Sequence, residues 1–150
     1  MAATVSIYNS FRQYIGDGTI DLTKAAGSGT GLYLALVLST YTYAAANTIW
    51  ANVSTYEAAT GDGYTTGGAE LTTNTLTYSG ATATFDADDV AWAALTKTFR
   101  YAVLYVNDTV NSIVKPLICC ITLDSTPADI VVSGATYTIS WNASGIFTFA

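Results

Sequence analysis

The sequence predicts an all-β fold: an antiparallel β-sandwich, or a partly open barrel, of about seven to eight strands with one short N-terminal helix. Three observations carry that prediction. Short runs rich in Val, Ile, Thr, Tyr and Phe recur along the chain between clusters of Gly, Asn, Asp and Ser. Several of these runs alternate with a period of two, and one segment alone has a helical period. The length, 150 residues, suits one domain spanning residues 1–150, because a chain of this size buries roughly 70% of its unfolded surface without disulfide or metal staples. No internal repeat or linker divides it.

The helix is expected in Ile7-Tyr8-Asn9-Ser10-Phe11-Arg12-Gln13-Tyr14-Ile15, where apolar positions 7, 8, 11, 14 and 15 share one face and Gly16 follows as a stop. Gly16-Asp17-Gly18 is turn chemistry, and residues 25–31 (Ala-Ala-Gly-Ser-Gly-Thr-Gly) read as a flexible loop. Residues 32–38 are apolar at odd and even positions alike. That describes a strand covered on both faces, with a short helix as the alternative that Leu and Ala content allows. Residues 40–59 have no regular period and read as a long excursion, with a helical turn through residues 43–50. Residues 61–68 hold four glycines, a structured loop or a site of close approach. A Thr-rich strand over residues 70–78 and the alternating Ala81-Thr82-Ala83-Thr84-Phe85 form a hairpin about Ser79-Gly80. Strands are then expected at residues 90–95, 99–106, 117–123, 137–141 and 146–149, the last two joined by a hairpin-type connection, Asn142-Ala143-Ser144-Gly145.

Composition narrows function. The chain is 51% hydrophobic and 11% charged, against about 25% charged in an average globular protein. Its 11 acidic and 5 basic residues leave a net charge of −6. Arg12, Lys24, Lys97, Arg100 and Lys115 are scattered, so there is no positive stripe for a nucleic-acid backbone. The longest apolar run is far below the ~20 residues that span a bilayer, and the N-terminus lacks a signal-peptide pattern, so no membrane partner and no classical secretion are expected. With no histidine, Ser-His-Asp and Cys-His catalysis are excluded, and neither a catalytic residue nor a cofactor is expected. The adjacent Cys119 and Cys120 would point to opposite faces of a strand and read as small buried hydrophobes; too few His and Cys residues accompany them for a zinc site. Asp86, Asp88 and Asp89 are the tightest acidic cluster. They admit two readings, caps of a turn between strands or a calcium site. The glycine loop is followed by Glu70 and a Thr-rich strand rather than by Lys-Ser/Thr and a helix, which excludes a P-loop.

The chain has eleven tyrosines, three tryptophans and five phenylalanines, more than a core of this size easily encloses, and tyrosine suits interfaces because its ring is apolar and its tip polar. Tyr41, Tyr43, Trp50, Tyr56 and Tyr64, in the irregular excursion and glycine loop, are the candidate partner contacts. Strands apolar on both faces, residues 32–38 and 99–106, are expected where the chain meets its copies or another protein.

A set of segments in fixed order carries a resemblance. It comprises Tyr8-Asn9-Ser10-Phe11, Gly18-Thr19-Ile20-Asp21-Leu22, residues 61–68, residues 85–92 (Phe-Asp-Ala-Asp-Asp-Val-Ala-Trp), Arg100-Tyr101-Ala102-Val103-Leu104-Tyr105, Pro116-Leu117-Ile118 and residues 139–146 (Ile-Ser-Trp-Asn-Ala-Ser-Gly-Ile). Together these resemble a family of small virion structural proteins of tailed bacteriophages, over nearly the whole chain. The resemblance implies a capsid decoration, or cement, protein on the outer capsid surface of the virion. Its partner would be the major capsid protein, and its form a homo-oligomer, with a trimer favoured by lattice symmetry. The alternatives are a tail or baseplate component and, from another class, a carbohydrate-binding module that stacks exposed aromatics on sugars.

Overall fold

The computed structural model describes residues 3–23, 31–124, 126 and 128–149. In chain order it runs β1 (Thr4–Ile7), α1 (Asn9–Gly16), β2 (Leu32–Val37), two 3-10 turns (Trp50–Asn52 and Ser54–Tyr56), β3 (Ala69–Glu70), β4 (Thr75–Ser79), β5 (Thr82–Asp86), β6 (Val90–Phe99), β7 (Tyr101–Val106), β8 (Thr109–Val110), β9 (Ile113–Val114), β10 (Leu117–Thr122), β11 (Ile130–Ile139) and β12 (Phe147–Phe149). Pairing is antiparallel throughout, and the sheets stay open in a sandwich-like arrangement.

The frame is a five-stranded sheet in the order β1-β10-β7-β2-β3. Its three central strands are apolar at every position except Thr122 at the end of β10, and the pleat sorts their side chains onto two faces. Leu32, Leu34 and Leu36 of β2 join Ala102, Leu104 and Val106 of β7 in one core. Ala35 and Val37 join Val103 and Tyr105 in a second core on the opposite face. In β10 the register shifts between Leu117 and Cys119. This bulge lets Leu117 and Cys120 reach the second core while Ile118, Cys119 and Ile121 reach the first.

Both faces are covered by the chain itself. Helix α1 through Phe11, β5 and β12 through Phe85 and Phe147, and the β6–β11 ribbon through Val90, Trp92, Leu95, Phe99 and Ile139 pack on the first face. The excursion between β2 and β3 packs on the second, through Tyr41, Trp50 and Val53. The expectation that residues 32–38 and 99–106 mark a surface between copies is therefore corrected: their apolar faces are buried within the monomer, most positions at 0% exposure.

The outer edge of β2 is also closed. Leu71 N–H donates to the Leu32 carbonyl (2.7 Å) and Ala58 N–H to the Leu36 carbonyl (2.9 Å), while Leu38 N–H donates to the Tyr56 carbonyl (2.9 Å). Between these segments the Tyr64 hydroxyl accepts the Leu36 N–H at 3.0 Å. The stretch of β2 that the short β3 leaves uncovered, and that would otherwise template pairing, is thus occupied by other pieces of its own chain.

Several elements differ from the sequence reading. The strand expected over residues 70–78 divides, because Leu71 is drawn into the core and Thr73 takes a left-handed conformation (φ 53°) before β4 begins. The helical turn expected through residues 43–50 lies later, as the two 3-10 turns. The connection through Asn142 and Gly145 is a tight turn, closed by Gly145 N–H to Asn142 C=O at 2.8 Å, but its flanking strands do not pair with each other. β11 pairs with β6 and β12 with β5. β11 also begins seven residues before the expected strand, at Ile130. The flexible loop expected over residues 25–31 lies, apart from Gly31, outside the described residues.

Candidate interaction surface

Of the five aromatic candidates, the second core takes four. Tyr41 and Trp50 are buried there, with Tyr43 and Tyr56 half-buried against them. The Trp50 ring stacks on Tyr105 with centroids 4.3 Å apart and planes 10° from parallel. Tyr41 meets Tyr101 edge-on (5.9 Å, 86°) and exchanges a 2.9 Å hydrogen bond with the Tyr8 hydroxyl, while Asn47 Nδ2 donates to its oxygen at 3.2 Å. Tyr43 donates to the Ile7 carbonyl at 2.8 Å. Polar tips satisfied in this way let a tyrosine-rich layer act as core.

Tyr64, the fifth, is buried on the first face, where its hydroxyl donates to Glu57 Oε1 at 2.8 Å. The same carboxylate oxygen accepts Gly67 N–H at 2.6 Å, and the Tyr105 hydroxyl donates to the Gly67 carbonyl at 2.8 Å. Burial pushes both the Glu57 carboxyl and the Tyr64 hydroxyl above their ordinary values. The glycine loop is a structured connection: Asp62 (φ 51°) and Gly63 (φ 82°) form the centre of a turn closed by Gly61 and Tyr64, and a β-carbon on Gly63 would sit 2.6 Å from the Ala93 and Ala94 carbonyl oxygens. Tyr41, Trp50 and Tyr64 are therefore internal, which corrects their reading as surface contacts. The excess of aromatics is absorbed by a second core that composition alone does not reveal.

The acidic cluster staples loops. Asp88 Oδ2 accepts the hydroxyls of Thr72 (3.0 Å) and Thr73 (2.6 Å), and its carbonyl accepts the Trp141 indole N–H at 2.9 Å; Asp89 Oδ1 accepts the Trp141 backbone N–H at 3.0 Å. Asp86 is the last residue of β5 and pairs with Thr75. Among the described residues no three His, Cys, Asp or Glu side chains converge. Three surface grooves of about 300, 390 and 410 Å³ are lined by at most one ionisable side chain each, Asp21 in the first and Arg12 in the third. None of the three supplies the pair that general acid–base chemistry on carboxylates needs.

Cys119 and Cys120 are free and buried. Burial raises both thiols, Cys120 to about 12, which keeps the nucleophilic thiolate scarce at neutral pH. Neither thiol is expected to react with a colorimetric disulfide reagent in the native protein at pH 8, and both should react once denaturant is added. A rapid native reaction would show that this layer opens.

The strands that do lie outside are poor in charge: β4 has none, and the β6–β11 ribbon carries only Lys97, half-buried and 3.5 Å from Asp62. All five residues of β4 are exposed, with Leu76 at 40% and Tyr78 at 86%. Tyr78 is the one exposed aromatic among the described residues. On the β6–β11 ribbon, Ala91 pairs with Thr138 and Thr98 with Val131, and all four are exposed. Residues 71–85 and 130–150 contain no Asp, Glu, Lys or Arg, and that absence of charge was the signal in the sequence for β4 and β11. The Thr-rich composition hid it, because Thr suits either face of a strand.

Fold and surface together define an all-β, sandwich-like protein whose accessible strands present mainly hydroxyl and methyl groups. Comparison of the chain with protein-family models, with curated proteins and with solved structures finds no match.

Proposed function

We propose that this protein is a structural component of a tailed-bacteriophage virion, a decoration protein that binds the major capsid protein lattice from outside as a homo-oligomer, with a trimer at threefold positions. The observation that carries the reading is the charge-poor, exposed strand surface of the β6–β11 ribbon and of β4, whose single charged residue, Lys97, is half-buried and paired with Asp62. Threonine, serine and alanine on rigid strands can be buried against a partner without desolvating an ion. The ordered segments that resemble small virion proteins support the same reading. A protein that binds only the assembled shell stabilises it by mass action, by RT ln(1 + [L]/Kd) at each site, and a shell offers many sites.

Purified protein added to heads assembled without it is expected to co-sediment with them in hundreds of copies and to raise the temperature at which they release DNA. Thr98→Glu, a charge on the exposed ribbon, should weaken that binding while leaving the fold intact. Incorporation of one ring's worth of copies in tails, with heads unaffected, would replace this reading with a tail or baseplate role.

A further inference from the structure

We propose that β4 is a homotypic docking edge, which pairs antiparallel with β4 of a second copy across a two-fold axis at Thr77. The hydrogen-bonding phase of the hairpin carries the argument. β4 pairs with β5 from Thr75↔Asp86 to Ser79↔Thr82, around a two-residue turn. The residues flanking such a turn exchange both backbone hydrogen bonds, and the pattern then alternates. Thr75, Thr77 and Ser79 accordingly bond inward to β5. Leu76 and Tyr78 direct their N–H and C=O groups to the free edge.

An antiparallel partner centred on Thr77 places Leu76 opposite the second copy's Tyr78, and Tyr78 opposite its Leu76. These are the residues whose backbone groups point outward, so two mutually hydrogen-bonded pairs form with no register slip. Side chains agree as well. Leu76 and Tyr78 share one face of β4, so the exposed leucine meets the exposed tyrosine across the axis, and on the other face Thr77 meets Thr77. Natural edges are protected by Lys, Pro, bulges or inward charges. β4 has none of these, and the nearest charged residues in sequence are Glu70 and Asp86. The result is a continuous sheet, β12-β5-β4 joined to its two-fold copy. The contact is a two-fold one and thus independent of threefold association; in a shell it joins one trimer to the next. Five residues bury less than the roughly 1,000 Å² of a stable interface, so association in solution is weak and concentration-dependent.

The test uses cysteine placement, since the native thiols are buried. Thr77 forms a non-hydrogen-bonded pair with its copy, about 4.5 Å between Cα atoms, within disulfide reach. Thr77→Cys is therefore expected to give a disulfide-linked dimer on a non-reducing gel under mild oxidation. Thr75→Cys, on the same face but opposite Ser79 of the copy, should stay monomeric. Thr77→Lys should lower self-association in sedimentation velocity by about tenfold or more, through like charges directly opposed, with an unchanged melting temperature. Equal cross-linking at positions 75 and 77, or none at 77, overturns the proposal and leaves head binding untouched. Failure to bind heads with position-specific cross-linking retained overturns the capsid reading alone.

Discussion

Gly68→Ala is expected to destabilise the protein by about 3–5 kcal/mol, among the largest effects of any single methyl addition to this chain. Gly68 has φ 79°, a conformation that strains any side chain. A β-carbon there would overlap the carbonyl oxygen of Leu34, in the middle of β2. The neighbour is backbone in a fully paired central strand, so it cannot give way as a flexible side chain would. Relief requires the loop to lift from β2, which also pulls the adjacent Gly67 from Glu57 and from the Tyr105 hydroxyl. Urea unfolding of the variant measures the loss. Gly16→Ala is the matched control: nothing lies within 4 Å of its added carbon, and a change within about 1 kcal/mol is expected. Similar curves for the two variants would mean that the loop does not press on β2 as described.

Tyr64→Phe is expected to cost about 2–4 kcal/mol, although it removes one oxygen atom from a buried ring. That oxygen does two things. It accepts the Leu36 N–H in the gap along the β2 edge, and it donates to Glu57. Phenylalanine leaves a buried backbone donor unpaired and a buried carboxylate with one hydrogen bond fewer. The loss should depend on pH. Burial raises the Glu57 carboxyl in the folded state, while the hydrogen bonds from Gly67 and Tyr64 partly oppose the rise. A raised folded value means that the native state holds the proton more tightly than the unfolded chain. The contribution of this group to stability is therefore full below the unfolded carboxylate value near 4.5 and declines as pH rises through the folded value. Removing the Tyr64 donor raises the folded value further, so the difference between wild type and Tyr64→Phe should widen from pH 4 to pH 8. A difference constant across that range would show that Glu57 does not depend on the hydroxyl.

Local rules in the chain reached some elements and stopped short of others for identifiable reasons. The three- and four-residue spacing of Phe11, Tyr14 and Ile15 marks α1, and strict alternation marks β5, because both patterns express one element against one surface. The ends of β6 and β11 were not legible. β6 carries Ala93 and Ala94 between its buried Trp92 and Leu95, and β11 carries Gly134 within a shift of register, so each loses its period of two where it bulges. The half-buried Lys97 lies between the strands expected at residues 90–95 and 99–106, where β6 in fact continues to Phe99. Of the candidate contacts, the irregularity of residues 40–59 was visible, but the side to which Tyr41 and Trp50 turn was not. Aromatic spacing has no regular period in an excursion that packs through 3-10 turns.

By itself the sequence determined an antiparallel all-β chain with one N-terminal helix, central strands apolar on both faces, buried adjacent thiols and no histidine for catalysis. Each of these follows from residue type and near-neighbour spacing. Only the tertiary structure decided what covers those strands. The second face of the sheet is sealed by the chain's own tyrosine-rich excursion, and the charge-poor strand surface left open lies on β4 and the β6–β11 ribbon. Cover is a long-range property, set by whether Tyr64 reaches Leu36 and Trp50 reaches Tyr105 across many intervening residues, and no local period encodes such a meeting.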